Sequence, residues 1–253
     1  MRGVLLDLRE RLTGRRDPEL PPSRLRAFVG GDDYREAGEE FKRHFVELGG
    51  LAPDHDVLDV GCGSGRMAFA LRGWLRGRYE GFDVYREGVE WCRRSITPRY
   101  PNFRFQVADI ANPRYNPTGR HSGETYRFPY DDDSFDFAFL TSVFTHLKPA
   151  EVDNYLGELA RVLRPGGTCF ATYFLINDDA VARMGGNGRF VVDNGEFLTT
   201  SASVPERAIA YREERVRAAH ERHGLPVEAA YYGAWSGAPG APSGQDIVVA
   251  RRA

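Results

Sequence analysis

Residues 57–66 read VLDVGCGSGR. A short apolar run ends in an acid and then in three glycines two residues apart, Gly61, Gly63 and Gly65. Such a turn, placed after a strand and before a helix, marks an α/β unit in which a ligand lies close to the backbone. The spacing narrows the ligand. A dinucleotide fingerprint reads GxGxxG and wants its third glycine where this chain has Arg66. A P-loop is excluded because no Gly-Lys-Ser/Thr follows.

The sequence around the turn alternates. DVLDV is a short buried strand and GRMAFALRGWL after it is helical. RYEGFDV is a second strand, followed by the helical REGVEWCRRSI, and FRFQVAD is a third. A long loop precedes FDFAFL, the fourth strand. PAEVDNYLGELARVL follows as a helix, with Pro149 suited to its first turn and Pro165-Gly166-Gly167 to its end. TCFATYFLI is a fifth strand. Strands alternating with helices predict a parallel sheet. Upstream, Ala37, Phe41, Phe45 and Leu48 recur at helical spacing in YREAGEEFKRHFVEL. Downstream of Ile176 the rhythm changes. RFVVDNGEFLTT reads as a hairpin turning at Asp193-Asn194-Gly195. PERAIAYREERVRAAHERHG reads as one charged helix, and LPVEAAYYGAW and QDIVVARRA as two closing strands.

This pattern gives an Arg-rich arm over 1–27 and a single domain over 28–253. The domain divides into a core (55–176), a lid or acceptor-side insertion (177–224) and closing strands (225–253). RGVLLDLRERL in the arm has helical spacing, and PELPPS breaks it.

Composition excludes several classes. The net charge is −2, which argues against a nucleic-acid binder, and acids interleave with the arginines of the arm. Only Lys42 and Lys148 are lysines among 34 basic residues, a bias expected of a GC-rich, bacterial coding sequence. Three cysteines without CxxC spacing give neither a disulfide framework nor a zinc site and fit a reduced cytoplasmic chain. No apolar run approaches the ~18 residues of a membrane span, and the charged N-terminus is unlike a signal peptide. Asp131-Asp132-Asp133 reads as a solvated turn rather than a metal site, so no metal is expected.

VLDVGCGSGR resembles motif I of the class I S-adenosylmethionine-dependent methyltransferases. The resemblance continues in order through Asp83 in GFDV, Asp109 in FQVAD, FDFAFLTSVFTHL and ELARVLRPGG. It covers about residues 55–175, and QDIVVA matches the family's last strand. It implies a Rossmann-like seven-stranded, mostly parallel sheet with helices on both faces and the last strand antiparallel. It also implies S-adenosyl-L-methionine as cofactor and S-adenosyl-L-homocysteine as product. By resemblance, Asp59, Gly61, Cys62, Gly63 and Gly65 hold the methionine part, and Asp83 accepts the ribose hydroxyls. Asp109 and the amide of Ile110 read adenine, Val84 and Tyr85 pack on its ring, and Thr141 meets the methionine amine through its backbone.

The reaction this implies is in-line transfer of a methyl group to a small-molecule acceptor, on oxygen or nitrogen. His146, after the fourth strand, is the candidate general base, with a pocket-lining role as its alternative. Tyr173, Asp178 and Asp179 leave the fifth strand toward the same edge as acceptor contacts or loop residues. Tyr34, His220, His223 and Trp235 could line a lid or pack it. Phe190, Phe197, Tyr211, Tyr231 and Tyr232 fit an aromatic acceptor or the lid's own core. Methylation of RNA or protein, and non-catalytic cofactor binding, stay open. A nicotinamide dehydrogenase is disfavoured by Arg66.

Overall fold

The computed structural model describes residues 7, 17–27, 33–112, 115–185 and 188–253. Apart from Asp7, the helix-like stretch of the arm lies outside these residues. The chain divides into two compact units, 1–120 and 121–253.

The first unit holds α1 (Ser23–Arg26), α2 (Tyr34–Glu47), β1 (Val57–Val60), α3 (Arg66–Leu71), β2 (Tyr79–Asp83), α4 (Arg86–Ser95) and β3 (Phe103–Val107). The strands pair in parallel, with Val57 opposite Tyr79 and Tyr79 opposite Phe103. All four residues of β1 are buried, as expected of a parallel strand covered on both faces. The Tyr79 and Phe103 rings stack at 4.7 Å. Helix α2 presses on α3 through Gly38, where a Cβ would lie 3.0 Å from the Arg66 carbonyl oxygen and 3.2 Å from the Ala70 Cβ.

The second unit holds β4 (Phe135–Leu140), α5 (Pro149–Val162), β5 (Leu163–Tyr173), β6 (Leu175–Ile176), α6 (Asp178–Met184), β7 (Val192–Asp193), β8 (Leu198–Thr199), β9 (Ile209–Arg212), α7 (Glu213–Arg222), β10 (Val227–Tyr231) and β11 (Asp246–Arg251). Pro149 opens α5, and the Glu151 carboxylate accepts the Lys148 N–H at its start (2.8 Å). The helix ends at Val162, and Pro165-Gly166-Gly167 lies inside β5 rather than before it. Pairing with β4 jumps there, from Phe135 opposite Leu163 to Phe137 opposite Thr168. Pro165 to Gly167 bulge out of register, with Gly166 at φ 77°.

The seven main strands run in the order β10-β11-β5-β4-β1-β2-β3. β11 is antiparallel to both of its neighbours, so the last strand reverses as expected.

A second sheet, of order β6-β9-β8-β7, was not anticipated. The hairpin at 192–199 forms as expected, with Gly195 at φ 88° and the Asn194 side chain accepting the Phe197 N–H (2.9 Å). The stretch read as one charged helix is instead β9 followed by α7. Ile209, Ala210 and Tyr211 are consecutive and all buried, which a one-faced charged helix cannot achieve. β9 satisfies its backbone against β6 and β8.

Asp246 ties the second unit together. Its buried carboxylate accepts N–H groups of Gly233 (2.6 Å), Leu175 (2.6 Å) and the Trp235 indole (2.7 Å). Asp246→Ala would strand these donors, at about 1–3 kcal/mol for each one left buried and unpaired. A clear fall in the urea midpoint is expected, with a smaller fall for Asp246→Asn, which keeps one acceptor oxygen.

Candidate functional site

The glycine turn is built by its backbone. Gly61, Gly63 and Gly65 sit at φ 86°, 55° and 81°, a region costly for residues with a Cβ. The N–H groups of Gly61 and Cys62 both donate to the Phe82 carbonyl (2.9 and 3.1 Å). The Gly65 N–H donates to the Cys62 carbonyl (2.8 Å), and the Gly63 N–H to Asp83 Oδ2 (2.6 Å). Four N–H groups of the turn are therefore spent internally. A ligand here meets bare Cα atoms rather than a ring of free amides.

The two-residue spacing has a packing cause. Gly65 caps α3 in a left-handed conformation, and a Cβ there would lie 2.6 Å from Cys92 Sγ and 3.0 Å from Ile96 Cδ1. The glycine needed for close approach is thus residue 65. Helix α4 approaches through Gly88, where a Cβ would lie 2.4 Å from the Gly63 carbonyl oxygen.

Three acids occupy the strand ends. Asp83 accepts the Gly63 N–H on Oδ2 and the Tyr85 N–H on Oδ1 (2.7 Å), and the Val84 N–H also acts on the carboxylate. Burial raises its pKa, and the backbone donors oppose the rise. Asp59 is 1% exposed. The Tyr79 hydroxyl donates to its Oδ2, and its Oδ1 has no hydrogen-bond partner among the described residues. Burial pushes Asp59 up to about 8; the Tyr79 bond opposes this and nearby Asp83 reinforces it. Asp109 differs. Arg120 Nε (2.6 Å) and then Asn116 Nδ2 (3.1 Å) hold it below the usual carboxylate range. Asn116 Nδ2 also donates to the Ile110 carbonyl (3.1 Å).

The remaining expected residues of this unit surround the turn. Val84 and Tyr85 are half-buried, and Ile110 is buried. Burial pushes the Tyr85 phenol up to about 12. Burial also holds the Cys62 thiol well above its usual range, so residue 62 offers a neutral side chain. Sequence reasoning missed the support from the N-terminal segments. The buried Tyr34 hydroxyl donates to the Ser64 carbonyl (2.8 Å), and the Ser64 hydroxyl to the Leu25 carbonyl (3.4 Å). Arg24 pairs with Glu87 of α4 and with Asp7 (3.2 Å). Nothing in the amphipathic pattern distinguishes Tyr34 from an ordinary core residue. Its contact, and those of Arg120 and Asn116, join segments whose meeting is a tertiary event.

Thr141 and His146 belong to the second unit. Thr141 follows β4 and is half-buried. His146 Nδ1 lies 2.8 Å from the Glu206 carbonyl, which can only accept, so this nitrogen carries a proton. In the neutral ring Nε2 is then the basic nitrogen. Lys148 Nζ reaches Glu206 Oε1 (2.6 Å), and the Tyr211 hydroxyl donates to the Leu147 carbonyl. These contacts fasten the 205–211 segment to the residues after β4.

The other aromatics and histidines pack the unit. Tyr173 is fully buried, with its hydroxyl 3.0 Å from Nε2 of His220, whose pKa burial lowers to about 4. His223 bonds Asp153 (3.0 Å). Phe190 is buried in a cluster with Phe174 and Ile176, against which Trp235 packs. Phe197 and Tyr211 are buried too, which favours a structural reading for them. Asp178 and Asp179 are exposed in the first turn of α6, and Asp132 pairs with Arg161 (2.8 Å). No group of three metal-ligating side chains occurs among the described residues.

A parallel sheet with a glycine turn and acids at the carboxyl ends of β1, β2 and β3 defines a nucleotide-binding α/β protein. Residues 58–171 match the family model described as a methyltransferase domain. That segment of the chain is thus similar to the methyltransferase-domain family. The chain is 32% identical over 138 residues to "Methyltransferase GfsG" of Streptomyces halstedii, covering 54% of this chain and 44% of that protein. It is 35% identical over 125 residues to "Fatty-acid O-methyltransferase" of Mycolicibacterium smegmatis, covering 48% of this chain and 36% of that protein. The chain thus spans less than half the length of these curated relatives. Other relatives are named as a C-methyltransferase and a tRNA methyltransferase. A solved structure, Burkholderia thailandensis 1,6-didemethyltoxoflavin-N1-methyltransferase with that compound and S-adenosylhomocysteine bound, shares the fold. Its TM-score is 0.55 at 16% identity, over 97% of this chain and 84% of that one.

The residues of the first unit fit the family's cofactor. The turn lacks side chains where a ligand would lie, and the buried Oδ1 of Asp59 has no partner among the described residues. Gly88→Ala tests the turn's geometry. Its methyl group would strike the Gly63 carbonyl, and overpacking of this kind costs about 1–3 kcal/mol. A lower thermal midpoint and weaker S-adenosylhomocysteine binding by calorimetry are expected together.

Proposed function

We propose that this protein transfers a methyl group from S-adenosylmethionine to the oxygen or nitrogen of a small molecule. The observation that carries this reading is the pair of acids at the glycine turn. Asp83 presents a carboxylate anchored by backbone N–H groups as the acceptor for the ribose hydroxyls. Asp59 has a buried oxygen to offer an ammonium group. Asp109, ionised beside Arg120, and the Ile110 N–H would read adenine, with Val84 and Tyr85 against its ring. The Thr141 backbone would meet the methionine amine.

The cofactor, when bound, supplies a methyl group made electrophilic by its sulfonium. The protein's part is to hold the acceptor in line with it, and orientation alone can be worth about 7–11 kcal/mol. His146, with its proton on Nδ1, would accept an acceptor proton at Nε2. Residues 177–224 are the acceptor-side covering in this reading, and 28–253 form one methyltransferase domain. The name of the Mycolicibacterium relative, a fatty-acid O-methyltransferase, favours a small acceptor.

Asp83→Ala should weaken S-adenosylmethionine binding by about 10- to 100-fold, since hydrogen bonds to a charged group are worth about 1.5–3 kcal/mol. Unchanged calorimetric affinity would defeat the cofactor assignment. Binding should also depend on pH. Asp59 is protonated below about 8 in the free protein and must ionise to hold an ammonium. Affinity should therefore rise between pH 6 and 8, by at most about tenfold per unit, with a proton released on binding. Tyr79→Phe removes the bond that lowers this pKa and should move the rise to higher pH. Labelled methyl transfer into cell extract, with mass spectrometry of the product, tests the activity itself.

A further inference from the structure

Ser142, Thr172 and Gln245 meet at the carboxyl ends of β4 and β5, where β11 begins. Ser142 immediately follows Thr141 and sits at φ 59°. A non-glycine residue there is strained and persists only where its surroundings enforce it. The enforcing contact is a 2.7 Å bond from the Ser142 N–H to the hydroxyl oxygen of the fully buried Thr172.

The Thr172 hydroxyl proton has one acceptor among the described residues, Gln245 Oε1 at 2.7 Å. The Ser142 hydroxyl donates to the same oxygen at 3.1 Å. Two hydroxyl donors on one face fix which end of the amide points inward, because the NH2 group has no lone pair to offer them. Nε2 consequently points away from the cluster. Its two N–H donors have no hydrogen-bond partner among the described residues, and Gln245 is half-buried. Strain, a buried hydroxyl and a doubly anchored carbonyl together hold one small donor group in place at this edge.

We infer that Gln245 Nε2 is a recognition group for a carbonyl or carboxylate oxygen of the methyl acceptor. The donor pair complements an sp2 oxygen, and the Ser142 oxygen beside it can still accept a bond. A neutral amide binds either oxygen type. The inference rests on the methyl-transfer reading only in calling the oxygen's owner the acceptor.

The test is side-chain and backbone 15N NMR of the full chain saturated with S-adenosylhomocysteine. The Gln245 NH2 signals are assigned by their absence from Gln245→Glu. The probes are benzoate, benzamide and, as the carbonyl-free control, benzyl alcohol. Benzoate, benzamide or both should shift the Gln245 NH2 signals, and benzyl alcohol should not; the two carbonyl probes separate carboxylate from neutral carbonyl. In Gln245→Glu the hydroxyl-accepting oxygen is kept while the donor pair becomes an anion. Binding of whichever carbonyl probe shifts the wild-type signals, read from the Ser142 amide, should weaken at least tenfold with the thermal midpoint held. No shift with either carbonyl probe, an equal shift with benzyl alcohol, or unchanged binding of the responding carbonyl probe in the variant would overturn the inference. These readouts need no turnover. Failure of methyl transfer in extract would thus count against the proposed activity alone.

Discussion

The carboxylate of Asp83 organises the first unit. It receives the N–H of Gly63 from one side and of Tyr85 from the other, and so ties the glycine turn to the start of α4. With the Phe82 carbonyl taking two more N–H groups, the turn is closed on itself. What it offers a ligand is chiefly proximity, since four of its N–H donors are spent. Gly65 and Gly88 follow from this closure, because α3 and α4 can approach so compact a turn only without side chains at the contacts.

The three acids differ in physical state although the sequence presents them alike. Asp59 is buried with one donor and stays protonated well above the usual carboxylate range. Asp83 is held between burial and backbone donors. Asp109 is paired with a guanidinium and ionises readily. A binding event that brings a cation to Asp59 is thereby coupled to proton release, whereas one that uses Asp109 is not. In the second unit His146, Lys148 and the Leu147 carbonyl anchor the 205–211 segment, which in turn sets the orientation of the His146 ring.

Most of the main sheet was legible because parallel strands are short, apolar and bounded by turn residues. Val57 to Val60 is such a run, and the reversal of the last strand followed from family resemblance. The second sheet was not legible. Arg and Glu dominate 205–224 and mimic a solvated helix, while the buried run Ile209 to Tyr211 is too short to declare its period. Pro165-Gly166-Gly167 was read as a stop, and its role as a bulge depends on a pairing partner 30 residues earlier. The aromatics after Ile176 invited an acceptor reading, but burial in a common cluster accounts for Phe190.

By itself the sequence determined the glycine turn, the acids that follow each of the first three strands, and the α/β rhythm. These are local, because a backbone at positive φ is met at least cost by glycine and an acid at a strand end is fixed by the strand's length. Tertiary structure decided what those residues are bonded to. Ser142 and Gln245 lie 103 positions apart and Tyr34 lies 30 from Ser64, yet each pair shares a hydrogen bond. No local pattern encodes such meetings. They arise where strands and helices distant in the chain pack together within each unit.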